Sequence, residues 1–112
     1  MFEWHLEDRD GAAVAAPKGA IDHNTADDFQ TAVGAALGGA PEGSRMVFDL
    51  SGVEYMSSVG LRVLMRASKE ARTAKVDIHL AGLNETMAEI FKISRFDKIF
   101  PIHDNVDAAL SA

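Results

Sequence analysis

A mixed α/β fold, with a small sheet of four to five strands, an N-terminal hairpin and about four helices, is predicted from three observations. From residue 45 onward, short apolar runs alternate with helical patterns, an order that favours parallel strands covered by helices. Before that, two strand-like segments flank Asp10-Gly11, a pair suited to the positive φ angles of a tight hairpin turn. The composition is that of a globular chain, with 47% hydrophobic and 25% charged residues in 112. This is the size of one ordinary domain, so residues 1–112 are expected to form a single unit.

The elements follow in order. Segment 2–9, "FEWHLEDR", alternates loosely between apolar and polar residues, and "GAAVAAPKG" follows the turn. In "AIDHNTADDFQTAVGAALGG" the residues Phe29, Val33, Ala36 and Leu37 fall on one helical face. Asn24 or Thr25 is placed to cap that helix, Asp27 and Asp28 suit its positive end, and Gly38-Gly39 stops it. "RMVFDL" is a short apolar strand of the kind buried on both faces. From Ser57 to about Ala74 a second helix is expected, with Leu61, Leu64, Met65, Ser68 and Ala71 inward and Arg62, Arg66, Lys69 and Thr73 outward. "KVDIHLAG" is the next strand, and Asn84 caps a short helix that turns Met87, Ile90 and Phe91 inward. "KIFPI" reads as a last strand that Pro101 holds to the sheet edge, and "DNVDAALSA" as a terminal helix docked by Val106, Ala109 and Leu110.

Several functions are disfavoured by what the sequence lacks. A net charge of −6 offers no basic footprint for nucleic acid or anionic lipid. No apolar run is long enough for membrane insertion and the N-terminus has no signal-peptide pattern, so a cytoplasmic protein is expected. With no cysteine, a thiol nucleophile and a thiolate zinc site are excluded. His5, His23, His79 and His103 are scattered, with no pair three or four residues apart to aim two rings at one metal. Phosphate-binding and dinucleotide-binding glycine motifs are missing, and no cofactor is expected. Around Ser58 the order Met56-Ser57-Ser58-Val59-Gly60 lacks the first small residue of a hydrolase nucleophile elbow. No catalytic function is therefore expected.

The two adjacent serines hold the interest. Ser57 stands where an N-cap belongs, a role worth about 1 kcal/mol when the hydroxyl accepts from a first-turn amide. Ser58, at the first helical position, is then free to face solvent. Asp22, before the first helix, and Asp49, at the end of the central strand, are both candidates to lie near Ser58 in the crevice at the carboxyl ends of the strands.

The stretch "RMVFDLSGVEYMSSVGLRVLMRASKEARTAKVDIHLAGL", together with the earlier "GAIDHNTADDF", resembles the anti-sigma factor antagonists built on the STAS domain. The resemblance covers nearly the whole chain and implies the STAS fold and a partner-switching module without catalysis of its own. It implies binding to an anti-sigma factor, often a GHKL-type serine kinase, in the unmodified state, release on serine phosphorylation, and reversal by a PPM-type serine phosphatase. The family's acceptor lies two residues before the motif glycine, which here is Ser58 before Gly60. Many members carry an aspartate just before the acceptor where this chain has Ser57, so Ser57 stands as the alternative acceptor. Asp22, Asn24, Met56, Ser57, Ser58, Val59, Leu61 and Arg62 form the expected partner surface. Met56 and Arg62 are assigned there as an adaptable thioether and an exposed guanidinium, whereas Val59 and Leu61 also suit core packing. The rival role within the same fold is a non-phosphorylated accessory subunit clamping a transporter ATPase, with Ser58 only part of a helix start.

Overall fold

The computed structural model describes residues 2–112 and begins with the expected hairpin, β1 (Glu3–Arg9) and β2 (Ala12–Lys18). Asp10 and Gly11 turn the chain with φ of 55° and 84°, the left-handed pair that a two-residue hairpin loop requires. Then come α1 (Ala26–Gly38), β3 (Arg45–Asp49), α2 (Ser58–Ala74), β4 (Asp77–Ala81), α3 (Glu85–Ile93), a single 3-10 turn (Phe96–Lys98), β5 (Ile102–His103) and α4 (Val106–Ser111). The sheet order is β1-β2-β3-β4-β5, antiparallel in the hairpin and parallel in the three later pairings.

Each crossover adds its strand on the same side of the last, and crossovers of one hand then place α1, α2 and α3 on one face of the sheet. Their inward residues, Phe29, Val33, Leu64, Ala67, Met87 and Phe91 among them, pack with Met46, Phe48 and Leu80 in the main core. Trp4 closes the hairpin end of this core, edge-on to Phe29 and Phe48 at centroid separations of 6.5 Å and 6.4 Å. On the opposite face α4 covers Val14, Val47 and Ala81 through Ala109, Val106 and Leu110. The middle of β3 is apolar because Met46 and Phe48 face one layer and Val47 the other.

Three local expectations change. The α2 stripe is rotated: Gly60, Val63, Leu64, Ala67 and Ala71 are buried, while Leu61, Met65 and Ser68 are half-buried on its flank. The predicted "KIFPI" strand starts only after Pro101, because Phe96 and Phe100 are drawn into the core by the 3-10 turn; β5 is nonetheless the sheet edge. Thr25 is the N-cap residue of α1, but its hydroxyl accepts from the Asp22 amide and donates to the Ala20 carbonyl, holding the preceding loop instead of the helix.

Candidate functional site

The two serines sit where the loop after β3 meets the loop after β2. Ile21 fixes that meeting: its amide donates to the Tyr55 carbonyl at 2.9 Å, and its carbonyl accepts from the Ser57 amide at 2.8 Å. With the isolated parallel bridge between Ile21 and Met56, this makes a short strand-like clip at the carboxyl end of the sheet. Asp22 and Asn24 lie one and three residues after Ile21, so the clip brings this turn to the start of α2. Asp22 Oδ1 accepts from the Asn24 amide at 2.9 Å, an Asx turn that stiffens this rim of the site.

Ser58 is the first residue of α2 and is exposed. Ser57 precedes it in extended conformation, φ −79° and ψ 175°, the backbone of an N-cap. The expected cap bond is not made: no side-chain oxygen caps α2, and Ser57 Oγ is buried without a hydrogen-bond partner among the described residues. The first turn of α2 has no acidic residue either. Its leading amides thus keep the partial positive charge of a helix N-terminus.

Beneath the serines the packing is tight. A Cβ on Gly60 would lie 2.6 Å from Met56 Cγ and 2.8 Å from Ile21 Cγ2, so the motif glycine lets the first turn of α2 rest on the Ile21–Met56 clip. Met56 is accordingly buried, with 1% of its surface exposed. Its assignment to the partner surface is corrected: the thioether is the floor of the site because Gly60 leaves it room. Leu61 also packs against the core from a half-buried position, whereas Val59 is half-buried beside the serines and Arg62 is exposed one turn beyond Ser58.

Asp49 does not join this group. Its carboxylate accepts from the Ser51 amide at 3.1 Å and lies against Gly82, closing the β3 end beside β4. The residue that the sequence reading missed is Tyr55, 48% exposed on the same rim. Its signal was an aromatic residue between the inward positions Val53 and Met56, where the chain must turn it out. Asp22, Asn24, Tyr55, Ser58, Val59 and Arg62 are exposed or half-buried along this rim, a surface suited to a protein partner more than to a buried small molecule.

A second polar cluster lies away from this site. His79, 6% exposed, bonds Asp77 Oδ2 through Nε2 at 2.8 Å and His103 Nε2 through Nδ1 at 2.9 Å. Histidines scattered in sequence thus meet across adjacent strands. The rings stack with centroids 5.1 Å apart.

Comparison with known proteins agrees with this architecture. The family model of the STAS domain matches residues 3–109. BtrV of Bordetella bronchiseptica, a candidate anti-sigma factor antagonist, is 31% identical over 103 residues, covering 92% of this chain and 87% of its own length. RsfA of Mycobacterium tuberculosis, an anti-sigma-F factor antagonist, is 24% identical over 107 residues, covering 96% of this chain and 84% of its own. The crystal structure of an anti-sigma factor antagonist from Mycobacterium paratuberculosis superimposes with a TM-score of 0.85 at 28% identity, covering 99% of this chain and 92% of that one.

Proposed function

Because the chain belongs to the STAS-domain family of anti-sigma factor antagonists, we propose that it is a partner-switching regulator controlled by phosphorylation of Ser58. Unmodified, it binds an anti-sigma factor, in many systems a GHKL-type serine kinase, through the rim of Asp22, Asn24, Tyr55, Ser57, Ser58, Val59, Leu61 and Arg62. The kinase phosphorylates Ser58 and ends the interaction, and a PPM-type phosphatase restores it. Residues 1–112 act in this as one cytoplasmic domain without catalysis of its own.

The observation that carries this reading is an exposed Ser58 hydroxyl at the head of a helix whose first turn has neither a side-chain cap nor an acidic residue. A phosphoryl group there brings about −1.5 to −2 charges to a place where backbone amides and the helix dipole already favour an anion. Arg62, four residues on, lies on the same helical face and adds a cation to these amides. The fold thus tolerates the modification. A docked partner does not, since it would have to desolvate a dianion beside the carboxylates of Asp22 and Glu54. Affinity changes while the chain stays folded.

The test is intact-mass spectrometry with site mapping on protein from its native cells, and on protein incubated with ATP and the kinase that co-purifies with it. A gain of about 80 Da, one phosphoryl group, on Ser58 is expected. The same gain on Ser57 would keep the switch and move its acceptor by one residue. An unmodified chain under all these conditions would overturn the switch and favour a non-phosphorylated accessory subunit of a transporter ATPase.

A further inference from the structure

The hairpin leaves β1 as one edge of the sheet, seven residues long and without the proline or lysine that often blunt such edges. Its free side can be derived from its paired side. Trp4 lies opposite Pro17, which has no amide, so this must be a non-hydrogen-bonded pair. Alternation then turns the backbone groups of Trp4, Leu6 and Asp8 outward, available to another strand. Leu6 is 46% exposed, and between it and α1 run two adjoining hollows floored by Ala32, Ala35 and Ala36.

We propose that β1 is a homodimer interface, pairing antiparallel with β1 of a second copy about a two-fold axis at Leu6. The outward backbone positions then match one another: Leu6 meets its own symmetry mate, and Trp4 meets Asp8 of the other copy. On the opposite side of the strand Glu3 faces Arg9 of the other copy, and His5 faces Glu7. Every charged side-chain pair on that side joins opposite or hydrogen-bonding partners.

The neighbouring registers that keep backbone bonding in phase lack this property. A two-fold axis at His5 sets Glu3 against Glu7, with His5 against itself. An axis at Glu7 sets Glu7 against itself and His5 against Arg9. Among the in-phase registers that keep most of β1 paired, the Leu6 register is the one without a like-charge pair, as a self-complementary isologous interface requires. The occupant that fits the edge is therefore this same sequence. Arg9 already donates to Asp107 Oδ1 at 2.9 Å on the surface, and its fork of donors leaves room for the partner's Glu3. The apolar hollows beside α1 receive the second Leu6, which joins the two sheets into one.

The test is sedimentation equilibrium of the full chain from micromolar concentration to about 1 mM, at low and high salt. A dimer that weakens with salt is expected. Glu3→Arg and Arg9→Glu should each weaken it about tenfold, since the two-fold axis applies every change twice, and the double variant should recover the original affinity to within about threefold. Leu6→Pro should give a monomer with unchanged circular dichroism, because the Leu6 amide takes no part in the β1–β2 ladder. A wild-type chain that stays monomeric throughout would overturn the proposal. So would a dimer indifferent to Leu6→Pro, or a double variant as weak as the singles.

Discussion

Two adjacent serines with the same side chain are given different tasks by one turn of backbone. Ser58 projects into solvent at the first helical position, while Ser57 holds the cap conformation with a buried hydroxyl that has no partner among the described residues. Removing a working N-cap hydroxyl costs about 1 kcal/mol, but removing a buried hydroxyl with no partner relieves a desolvation penalty of similar size. Ser57→Ala should therefore change the unfolding free energy by less than about 0.5 kcal/mol, or raise it, and Ser58→Ala, on the surface, should change it as little. Urea unfolding of both variants checks this. A loss near 1 kcal/mol for Ser57→Ala alone would mean that its hydroxyl caps α2 in solution. Stability and modification then separate cleanly, because the residue proposed to carry the phosphate is not one that the fold needs.

At the scale of elements, α2 depends on what lies under its first turn. Gly60→Ala would gain up to about 1 kcal/mol of helix propensity. Against this, the new Cβ would fall 2.6 Å from Met56 Cγ and 2.8 Å from Ile21 Cγ2, two side chains that are themselves buried. The methionine can yield, but the branched isoleucine is held by its backbone bonds to Tyr55 and Ser57. We expect a net loss of about 1–2 kcal/mol in a thermal or urea melt of the isolated protein, with no partner present. Unchanged stability would transfer the role of Gly60 from packing to partner approach. The same region shows what the sequence disclosed. Element order, the hairpin turn, the Asn84 cap and the position of Ser58 were legible because each rests on local chemistry, on periodicity or on the family motif. The burial of Met56 and the rotation of the α2 stripe toward Gly60 and Val63 were not, because both follow from how closely one loop approaches another. The meeting of His79 and His103 depends likewise on β4 and β5 being neighbours, which their separation in sequence hides.

For the whole molecule, that histidine pair joins the last strand and helix to the rest of the sheet. Asp77, β4 and β5 meet there, and Arg45 extends the cluster by donating to the carbonyls of Ala109 and Ala112 at the end of α4. With Asp77 accepting from His79 Nε2, neutral His79 offers a lone pair at Nδ1 and His103 donates into it. A proton on His103 sets a cation in stacked contact with the His79 ring and near the Arg45 guanidinium. Burial first, then the charges of His79 and Arg45, hold the His103 pKa below its ordinary 6.5, against the opposing pull of Asp104. A histidine whose pKa is lower folded than unfolded binds more protons in the unfolded state, so its contribution is full above about pH 6.5 and is lost as pH falls from there through the lower folded pKa. The melting temperature should hold level from about pH 8 to 7 and decline between about pH 6.5 and 5, before most carboxylates titrate. In His103→Gln, which does not titrate, that decline should flatten. Equal slopes in the two proteins would show that protonation of His103 does not loosen β5 and α4, which the β4–β5 ladder, Arg45 and the apolar contacts of Ala109, Val106 and Leu110 then hold. A steeper wild-type slope would make this hydrogen-bonded pair the acid-sensitive clasp on the face of the sheet away from α2, leaving the serine site on its own support of Ile21, Met56 and Gly60.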